Sequence, residues 1–524
     1  MPGPAAFSRR ALLRAMAGGA GAAMLSGCTS SSPHPPTSTA TGAPPPSTAS
    51  LTTPSATNSR PPWAALQARM TGRLYHSGDP GYDRARLTAN PRYDLLRPAA
   101  VARCQSPADV AACVAFARDA SVPFTIRAGG HSYTASSTGP QLVVDVSAMN
   151  QVQVDPLSGR VRLGAGARLV DVYTAVAGAG RAIAAGSCPS VGATGLTLGG
   201  GVGVLARAWG LTCDALVSYD MVTAEAAVHT VDESGSADLL WAGRGGGGGS
   251  FGVVTELTLH TQAAPDVTIF SMFWPWSAAS DVVQAWQHWA PVADARCWST
   301  CKIQAGPGSA PTVLVAGVWS GADASLGAVL APLLRSVGTG TVWRGSSRHR
   351  YLDAMLIEAG CKGSSCHLPP AGTLVRELLA ATSHVPATLM STTAVDALVG
   401  AVETASATAG LHLVTASLDA LGGAVAARPE ASSAFVHRSA PFTVQYTATW
   451  TRPTLPGGHF DAVVRSLRAT MTPYLGNGAY TNYCDASIAD WQNAYWGANY
   501  ARLQSIKRAV DPHDLFNGPQ SVRP

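Results

Sequence analysis

Three glycine-rich loops constrain most strongly what this chain can fold into. They lie at residues 128–132, 195–203 and 245–249. Glycine loops occur where backbone amides must approach phosphate oxygens closely, because glycine has no side chain to block that approach. Three such loops within one region predict that a large dinucleotide is bound there through the backbone.

Strand and helix signals alternate between residues 97 and 260. We predict a helix over residues 108–118, starting at Ser106-Pro107. Strands are predicted at residues 122–127, 141–146 and 160–164, and a further helix at 168–177. The order of these elements indicates a mixed α/β domain and excludes an all-β one.

The third glycine loop contains a formal GxGxxG pattern, at Gly247, Gly249 and Gly252. In a Rossmann domain this pattern follows a strand and opens a helix. Here it is followed by residues 253–259, which are rich in β-branched side chains and predict a strand. We therefore reject the Rossmann interpretation.

The glycine loops become rare after about residue 264. Strands are predicted at residues 267–274, 311–319 and 442–450. Helical stretches are predicted between them, for example at residues 375–381. These segments indicate a second, α+β domain. One amphipathic helix is predicted near the end, over residues 495–510, where Asp511-Pro512 stops it.

The N-terminus carries targeting signals. Ser8-Arg9-Arg10 opens a twin-arginine pattern, an apolar stretch too short to span a bilayer well follows, and residues 25–28 resemble a bacterial lipobox ending in Cys28. We expect residues 1–28 to direct twin-arginine export and Cys28 to anchor the protein by lipid on the outer face of the bacterial membrane. A plain secretory signal, giving a secreted protein, is the alternative.

Residues 29–62 are nearly all Ser, Thr, Pro, Ala and Gly, with Arg60 as the single charge, and predict a disordered tether.

The net charge is +5 at pH 7, and no Lys/Arg-rich block is present, so we expect no nucleic-acid partner. No later segment has 18 uninterrupted apolar residues, so membrane contact is expected only through Cys28. We expect a monomer.

The ten cysteines include two close pairs, Cys297/Cys301 and Cys361/Cys366. Both pairs could form disulfides in an oxidising exterior. Metal binding by these four cysteines is the rival interpretation, but neither a CxxC nor an HExxH pattern supports it, and we predict no metal site.

One histidine and one cysteine stand in these flexible loops. His131 follows Gly129 and Gly130, and Cys188 lies just ahead of the second glycine run. They could be ordinary loop residues. The alternative is that both are attached to the same group, since imidazole and thiolate are competent nucleophiles.

Five stretches of the sequence resemble one family. They are RAGGHSY (127–133), GSCPSVGATGLTLGGGVGVLARAWGLTCD (186–214), DLLWAGRGGGGGSFGVVTELTL (238–259), YTNYCD (480–485) and YWGANYARLQSIKRAVDPHDLF (495–516). In this order they resemble the FAD-linked oxidases of the berberine-bridge-enzyme type, within the vanillyl-alcohol-oxidase-like fold.

The resemblance implies an α+β chain. A two-part α/β FAD-binding domain of the PCMH type would occupy residues 63–265. A substrate domain with an antiparallel sheet, covered by helices, would occupy residues 266–475 above the flavin. The C-terminal segment, residues 476–524, would return to the FAD domain.

The resemblance also implies bicovalent FAD, with His131 bonded to the flavin 8-methyl carbon and Cys188 to ring carbon 6. A hydrogen-bonding loop histidine and a free thiol beside a singly attached flavin are the alternatives. Further FAD contacts are expected from the residues of the matching loops: Arg127, Ala128, Gly129, Gly130, Ser132, Val191, Gly192, Gly195, Gly199, Gly200, Gly203, Gly252, Val254 and Asn499.

The catalytic base implied by the resemblance is a tyrosine on the C-terminal segment, either Tyr480 or Tyr483, assisted by Gln445. A tyrosine acts as a base only if its pKa, about 10, is lowered. Relatives often have a lysine two positions before the glutamine, and Thr443 stands there instead. The source of tyrosine activation is therefore open, as is the possibility that both tyrosines only pack on the flavin.

The function implied is that of an oxidase. It would remove a hydride from a substrate alcohol, with a sugar or oligosaccharide favoured, and pass the electrons to O2 to give H2O2. A dehydrogenase and an oxidase of a secondary metabolite are alternatives within the enzyme class. A solute-binding lipoprotein is the alternative from another class, since a lipobox and a tether suit it equally.

Overall fold

The computed structural model describes residues 61–524. The predicted signal, the lipobox and nearly all of the predicted tether fall in residues 1–60 and lie outside the described residues. The first helix within the described residues begins at Trp63, directly after the predicted end of the tether. Within residues 61–524 no helix is both long and apolar enough to cross a membrane.

A four-stranded sheet begins the first domain, with strand order β1-β2-β4-β3. Strands β2, β4 and β3 run parallel, and β1 is an antiparallel edge. Its elements are α1 (Trp63–Ala68), β1 (Arg73–His76), α2 (Tyr82–Ala85), β2 (Ala100–Arg103), α3 (Pro107–Asp119), β3 (Phe124–Arg127) and β4 (Leu142–Asp145). The predicted start of α3 is confirmed, because the Ser106 side chain accepts a hydrogen bond from the Asp109 amide at its N-terminus.

A five-stranded antiparallel sheet follows, in the order β5-β6-β10-β8-β9, together with a short β11-β7 ribbon. The elements are β5 (Val152–Asp155), β6 (Arg160–Gly164), α4 (Leu169–Gly178), β7 (Arg181–Ala182), α5 (Ala193–Leu198), α6 (Ala206–Trp209), β8 (Leu216–Val222), β9 (Val228–Val231), α7 (Ala237–Gly243), β10 (Val253–His260) and β11 (Gln262–Ala263). Strand β10 confirms that the third glycine loop opens a strand, which rules out a Rossmann turn there.

Seven antiparallel strands form the sheet of the second domain, in the order β15-β12-β14-β13-β17-β18-β16. The elements are β12 (Asp266–Trp274), α8 (Ala279–Trp289), β13 (Cys297–Gly306), β14 (Ser309–Trp319), α9 (Leu326–Val337), β15 (Trp343–Arg350), α10 (Tyr351–Glu358), β16 (Leu378–His384), α11 (Thr392–Ser406), β17 (Leu411–Ala420), β18 (Phe442–Trp450) and α12 (Gly457–Leu475). Helices α8, α9, α11 and α12 pack on one face of this sheet. Buried Phe442 and Phe460 belong to that core, where each such side chain contributes roughly 1.5–3 kcal/mol.

The C-terminal segment contains α13 (Trp491–Trp496) and α14 (Tyr500–Val510) and packs against the first domain. The ammonium of Lys507 is fully buried and donates hydrogen bonds to the Ser250 and Phe516 carbonyls, at 2.8 and 2.9 Å. It also pairs with Asp511 at 2.6 Å. These contacts tie the chain end to the third glycine loop.

Two helix predictions are wrong. Residues 375–381 do not form a helix, because β16 starts at Leu378 and pairs with β18; this pairing buries Leu378, Ala380 and Thr382 on one face and overrides their local propensity. The single helix predicted over residues 495–510 is two helices. Gly497, with φ 49°, begins a 3-10 turn between them.

Only one of the two suggested disulfides is present. Cys361 and Cys366 are bonded, whereas Cys297 and Cys301 are free and buried. Cys297 and Cys301 both lie on β13, four residues apart. A strand rises about 3.3 Å per residue, so their Cα atoms are about 13 Å apart, far beyond disulfide reach.

Candidate active site

A cavity of about 590 Å³ lies between the glycine loops of the first domain and the open face of the seven-stranded sheet. This volume falls within the range of roughly 300–1,000 Å³ that is usual for ligand sites. Most of the predicted site residues line it: Ala128, Gly129, Gly130, His131, Ser132, Cys188, Val191, Gly192, Gly195, Gly203, Gly252, Val254, Gln445, Tyr480 and Tyr483.

Four predicted FAD contacts do not reach the cavity wall among the described residues: Arg127, Gly199, Gly200 and Asn499. Each has another partner instead. Arg127 pairs with buried Asp145 at 2.8 Å, and Asn499 donates a hydrogen bond to the Ser433 carbonyl at 3.1 Å. Gly199 packs against the Asn482 side chain, and Gly200 packs against the rings of Phe435 and Tyr480. The structure places these four residues behind the wall, in supporting positions.

His131 lies in the loop that follows β3, where Gly130 has a φ of 70° that favours glycine. The His131 Nε2 atom lies 3.0 Å from the Ser190 hydroxyl oxygen. Burial, with the nearby positive charge of Arg168, lowers the pKa of His131 to about 3. The imidazole is therefore neutral at ordinary pH, which is the nucleophilic form.

Cys188 lies in the loop between β7 and α5, with its sulfur 3.8 Å from the same Ser190 hydroxyl. Burial raises the pKa of the Cys188 thiol, and hydrogen bonds from Ser190 and from the Val191 backbone partly oppose this. Arg168 joins the two loops, since its guanidinium donates to the Ser190 carbonyl at 2.8 Å and to the Gly129 carbonyl. The two candidate nucleophiles are thus held around one hydroxyl.

The two candidate tyrosines have different surroundings. The Tyr480 hydroxyl accepts hydrogen bonds from the Gly201 and Val202 amides, at 2.7 and 3.2 Å, and from the Asn482 side chain at 2.9 Å. Burial raises the pKa of Tyr480 to about 12. Tyr480 therefore holds the second glycine loop in place.

Tyr483 also lines the cavity. Its ring stacks on Tyr133, with the centroids 6.0 Å apart, and the Gln445 side chain donates to the Tyr133 hydroxyl at 2.7 Å. Burial and the negative charge of Asp419 raise the pKa of Tyr483 well above its usual value. The structure thus brings Tyr483 and Gln445 together through Tyr133, which the sequence analysis had not singled out.

Three charged residues on the sheet side of the cavity were also missed: Lys302 on β13, Glu358 at the end of α10, and Asp419 on β17. Burial lowers the pKa of Lys302 and raises that of both carboxyl groups, while their mutual attraction opposes each shift. Among residues 61–524, none of the three forms an ion pair within 4.0 Å. In the part of the chain that the structure describes, these three side chains therefore face the cavity without a direct protein counter-ion.

The open face of the sheet carries many polar side chains, together with Trp298 and Leu413. Cross-strand pairing places Lys302 opposite Ser417 and Ser417 opposite Gln445, while Thr300 is opposite Asp419. A neighbouring row contains Thr415 and Thr447, which also line the cavity. The alternation of residues 298, 300 and 302 was a usable signal for this face, because side chains on a strand alternate between its two sides. Such a surface suits a ligand with several hydroxyl groups.

The residues on the other wall fit a flavin dinucleotide. Residues 246–249 line the cavity with backbone alone, and Gly247 and Gly249 have φ values of 84° and 81°, which disfavour any larger residue. A Cβ atom added to Gly195 would meet no atom within 4 Å, so this stretch leaves room for a ligand. The neutral imidazole of His131 and the thiol of Cys188 then supply the groups that would hold the ring.

Comparison with known proteins identifies the family. The sequence model of the "FAD binding domain" family matches residues 98–232, and that of "Berberine and berberine like" matches residues 479–523. The FAD-linked oxidoreductase YgaK of Bacillus subtilis is 33% identical over 465 residues, covering 87% of this chain and 98% of its own. The chain belongs to the berberine-bridge-enzyme-like family of FAD-linked oxidases.

Two further relatives extend this result. The chitooligosaccharide oxidase of Gibberella zeae is 30% identical over 453 residues, which cover 82% of this chain and 88% of the relative. A solved structure of a glucooligosaccharide oxidase from Acremonium strictum, described by its 6-S-cysteinyl, 8α-N1-histidyl FAD, superposes with a TM-score of 0.79 at 27% identity. The superposition covers 88% of this chain and 98% of the chain of that oxidase. The protein is therefore an FAD-dependent oxidoreductase with the PCMH-type fold.

Proposed function

We propose that this protein is an oxidase of carbohydrate hydroxyl groups. The observation that carries the proposal is the pairing, across one cavity, of two nucleophiles on glycine loops with a sheet face of hydroxyl, amide and charged groups. Relatives named as chitooligosaccharide, glucooligosaccharide and xylooligosaccharide oxidases support a sugar substrate. Because this chain belongs to a family of enzymes, the solute-binding alternative is disfavoured.

FAD is proposed to be attached through both His131 and Cys188. The relative with a 6-S-cysteinyl, 8α-N1-histidyl FAD supports this assignment. The cavity residues found on the wall would hold the cofactor, with residues 246–249 offering their backbone to the phosphates. When bound, FAD supplies the acceptor for the hydride that leaves the alcohol carbon. Two electron-withdrawing links would make it a stronger acceptor.

The chain's own groups would bind the sugar and take its hydroxyl proton. Because the raised pKa keeps Tyr483 neutral, we propose that it passes its own hydroxyl proton to Asp419 as it takes the proton of the sugar hydroxyl. The positive charge of Lys302 partly opposes the burial that raises the pKa of Asp419, and we propose it as this chain's counterpart to the lysine that Thr443 replaces. Gln445 fixes Tyr133, whose ring holds Tyr483 by stacking.

Molecular oxygen is the proposed final acceptor, giving hydrogen peroxide. The test is a screen of neutral oligosaccharides built from glucose, xylose or N-acetylglucosamine, with phenolic alcohols as comparison, for peroxide release. We expect one peroxide per oxidised sugar. If the flavin is reduced but reoxidised slowly by oxygen and rapidly by an artificial acceptor, the protein is a dehydrogenase.

The attachment itself is tested on denatured protein. His131→Ala and Cys188→Ala should each retain flavin through the other residue, and the double variant should release it. Complete loss of flavin from denatured Cys188→Ala protein would contradict a bicovalent link.

We propose further that the protein is exported by the twin-arginine route and anchored through Cys28, as the N-terminal signals indicate.

A further inference from the structure

The Ser190 hydroxyl lies between the two proposed attachment residues. Its oxygen is 3.0 Å from His131 Nε2 and 3.8 Å from Cys188 Sγ. Ser190 is only 5% exposed, and its carbonyl accepts a hydrogen bond from Arg168 at 2.8 Å. Burial restricts the Ser190 side chain, and the guanidinium contact fixes its backbone.

A hydroxyl has one hydrogen to donate, and a neutral imidazole carries one N–H and one lone pair. If His131 Nε2 carries the hydrogen and donates it to Ser190, the Nδ1 lone pair is free and the Ser190 hydrogen can turn to the sulfur. In the opposite arrangement Nδ1 carries the hydrogen, and the thiolate loses its donor. Only the first arrangement leaves both nucleophiles competent.

Arg168 favours the first arrangement. Its positive charge disfavours an imidazolium at His131 and is attracted to a Cys188 thiolate, the reactive form, against the burial that favours the thiol. A thiolate can only accept a hydrogen bond, so Ser190 must donate to it and accept from Nε2. The guanidinium thereby sets the direction of hydrogen bonding, from His131 to Ser190 and from Ser190 to Cys188.

We propose that Ser190 is a positioning residue for flavin attachment, whose hydroxyl accepts the Nε2 hydrogen of His131 and donates to Cys188 Sγ. The inference rests on the proposed bicovalent attachment and adds the residue that prepares both nucleophiles.

The attachment steps balance as follows. Nδ1 bonds to the 8-methyl carbon, one C–H bond of that methyl group breaks, and the imidazole sheds its Nε2 proton toward Ser190. Sγ bonds to ring carbon 6, whose C–H bond breaks. Each step leaves two electrons on the ring and releases two protons, one from the broken C–H bond and one from the imidazole or the thiol. Molecular oxygen takes up the two electrons and the two protons as H2O2. Each link therefore consumes one O2 and gives one H2O2.

The experiment uses full-length apoprotein from a riboflavin-starved host, to which FAD and oxygen are added. Mass spectrometry of peptides containing His131 or Cys188 gives the rate of each link. Equilibrium titration of proteins that also carry His131→Ala and Cys188→Ala gives the affinity for non-covalent FAD. We expect Ser190→Ala to slow both links at least roughly tenfold with unchanged affinity. Ser190→Thr, which keeps the hydroxyl, should stay within about threefold of the wild type.

Wild-type rates of either link in Ser190→Ala would overturn the shared role. Absence of any covalent flavin from the wild type would instead contradict the bicovalent attachment. Should Ser190→Ala fail to fold, ¹⁵N NMR of labelled wild-type apoprotein decides, with the His131 signal assigned by comparison with His131→Gln. An Nε2–H tautomer supports the proposal, and an Nδ1–H tautomer overturns it.

Discussion

A Cβ atom added to Gly129 would lie 2.7 Å from the Cα atom of Gly192, and one added to Gly192 would lie 2.7 Å from the Cα atom of Gly129. The loops that carry His131 and Cys188 are therefore in backbone contact. No residue with a side chain can occupy either position without moving the loops apart. This contact sets the separation of the two candidate nucleophiles.

Replacing Gly129 with alanine should force these loops apart. We expect the free energy of unfolding to fall by about 1–3 kcal/mol, the usual cost of overpacking, and covalent flavin to fall well below one per chain. Gly178→Ala is the matched control, since Gly178 ends α4 and a Cβ there would meet nothing within 4 Å. Urea unfolding and flavin content after acid precipitation measure both effects. Equal behaviour of the two variants would contradict the proposed contact.

Tyr480→Phe and Tyr483→Phe should separate stability from catalysis. Tyr480→Phe leaves two buried amides without their acceptor, so the free energy of unfolding should fall by about 1–3 kcal/mol. Tyr483→Phe should leave stability nearly unchanged and slow anaerobic flavin reduction by roughly 10²–10⁴-fold, since it removes the proposed proton acceptor. Stopped-flow absorbance and urea unfolding distinguish the two. A Tyr480→Phe protein with the larger loss in reduction rate would reverse the assignment.

Much of the first domain could be predicted from sequence because its signals are local. The cap at Ser106, the β-branched run after Gly252 and the glycine loops each act within a few residues. His131 and Cys188 could be singled out for the same reason, being reactive residues among glycines.

The second domain was harder because its site is assembled across strands. Lys302, Ser417 and Gln445 are far apart in sequence and meet only through strand register. Residues 375–381 have good helix formers, and only pairing with β18 makes residues 378–381 part of a strand. Ser190 carries no pattern of its own, and its importance follows from what its hydroxyl touches. The role of Arg168 could likewise not be predicted from the sequence, because the Gly129 and Ser190 carbonyls that it binds come together only in the folded structure.

Val191 lines the cavity three residues after Cys188. We propose that its short side chain leaves the apolar space beside the flavin that O2 needs. Val191→Ile adds one methylene to a close-packed site and should slow reoxidation by O2 roughly tenfold, which corresponds to about 1.4 kcal/mol. Anaerobic reduction by substrate should be nearly unchanged. Val254→Ile adds the same methylene elsewhere on the wall and serves as control. Equal reoxidation rates in both variants would remove Val191 from this role.

Cys28→Ser should release the protein from the membrane fraction while leaving activity per bound flavin unchanged. The predicted lipid attaches to the Cys28 thiol, and the catalytic residues all lie after residue 100. Limited proteolysis of the wild type should trim the predicted tether and leave a yellow, active core that begins near Trp63. Fractionation and N-terminal mass spectrometry measure both results. A compact core beginning before residue 40 would contradict the tether.

His384 should make the fold sensitive to acid. It is fully buried, with Nδ1 3.0 Å from the Tyr446 hydroxyl, and burial together with the Arg468 charge lowers its pKa to about 2. An unfolded histidine has a pKa of about 6.5. Between these values the unfolded chain binds a proton that the folded chain does not. The stability due to His384 is therefore fully present above pH 6.5 and falls by about 1.4 kcal/mol per pH unit below it.

The test compares the slope of unfolding free energy against pH, between pH 6 and pH 4.5, in three proteins. His384→Gln should be less stable than the wild type at pH 7, because it loses packing against Tyr446. Its slope should nevertheless be smaller by about 1.4 kcal/mol per pH unit, because the titrating group is gone. Exposed His288→Gln controls for the substitution and should keep the wild-type slope. An unchanged slope in His384→Gln would mean that His384 is protonated in the folded state, and that the buried pair with Tyr446 opens before the protein unfolds.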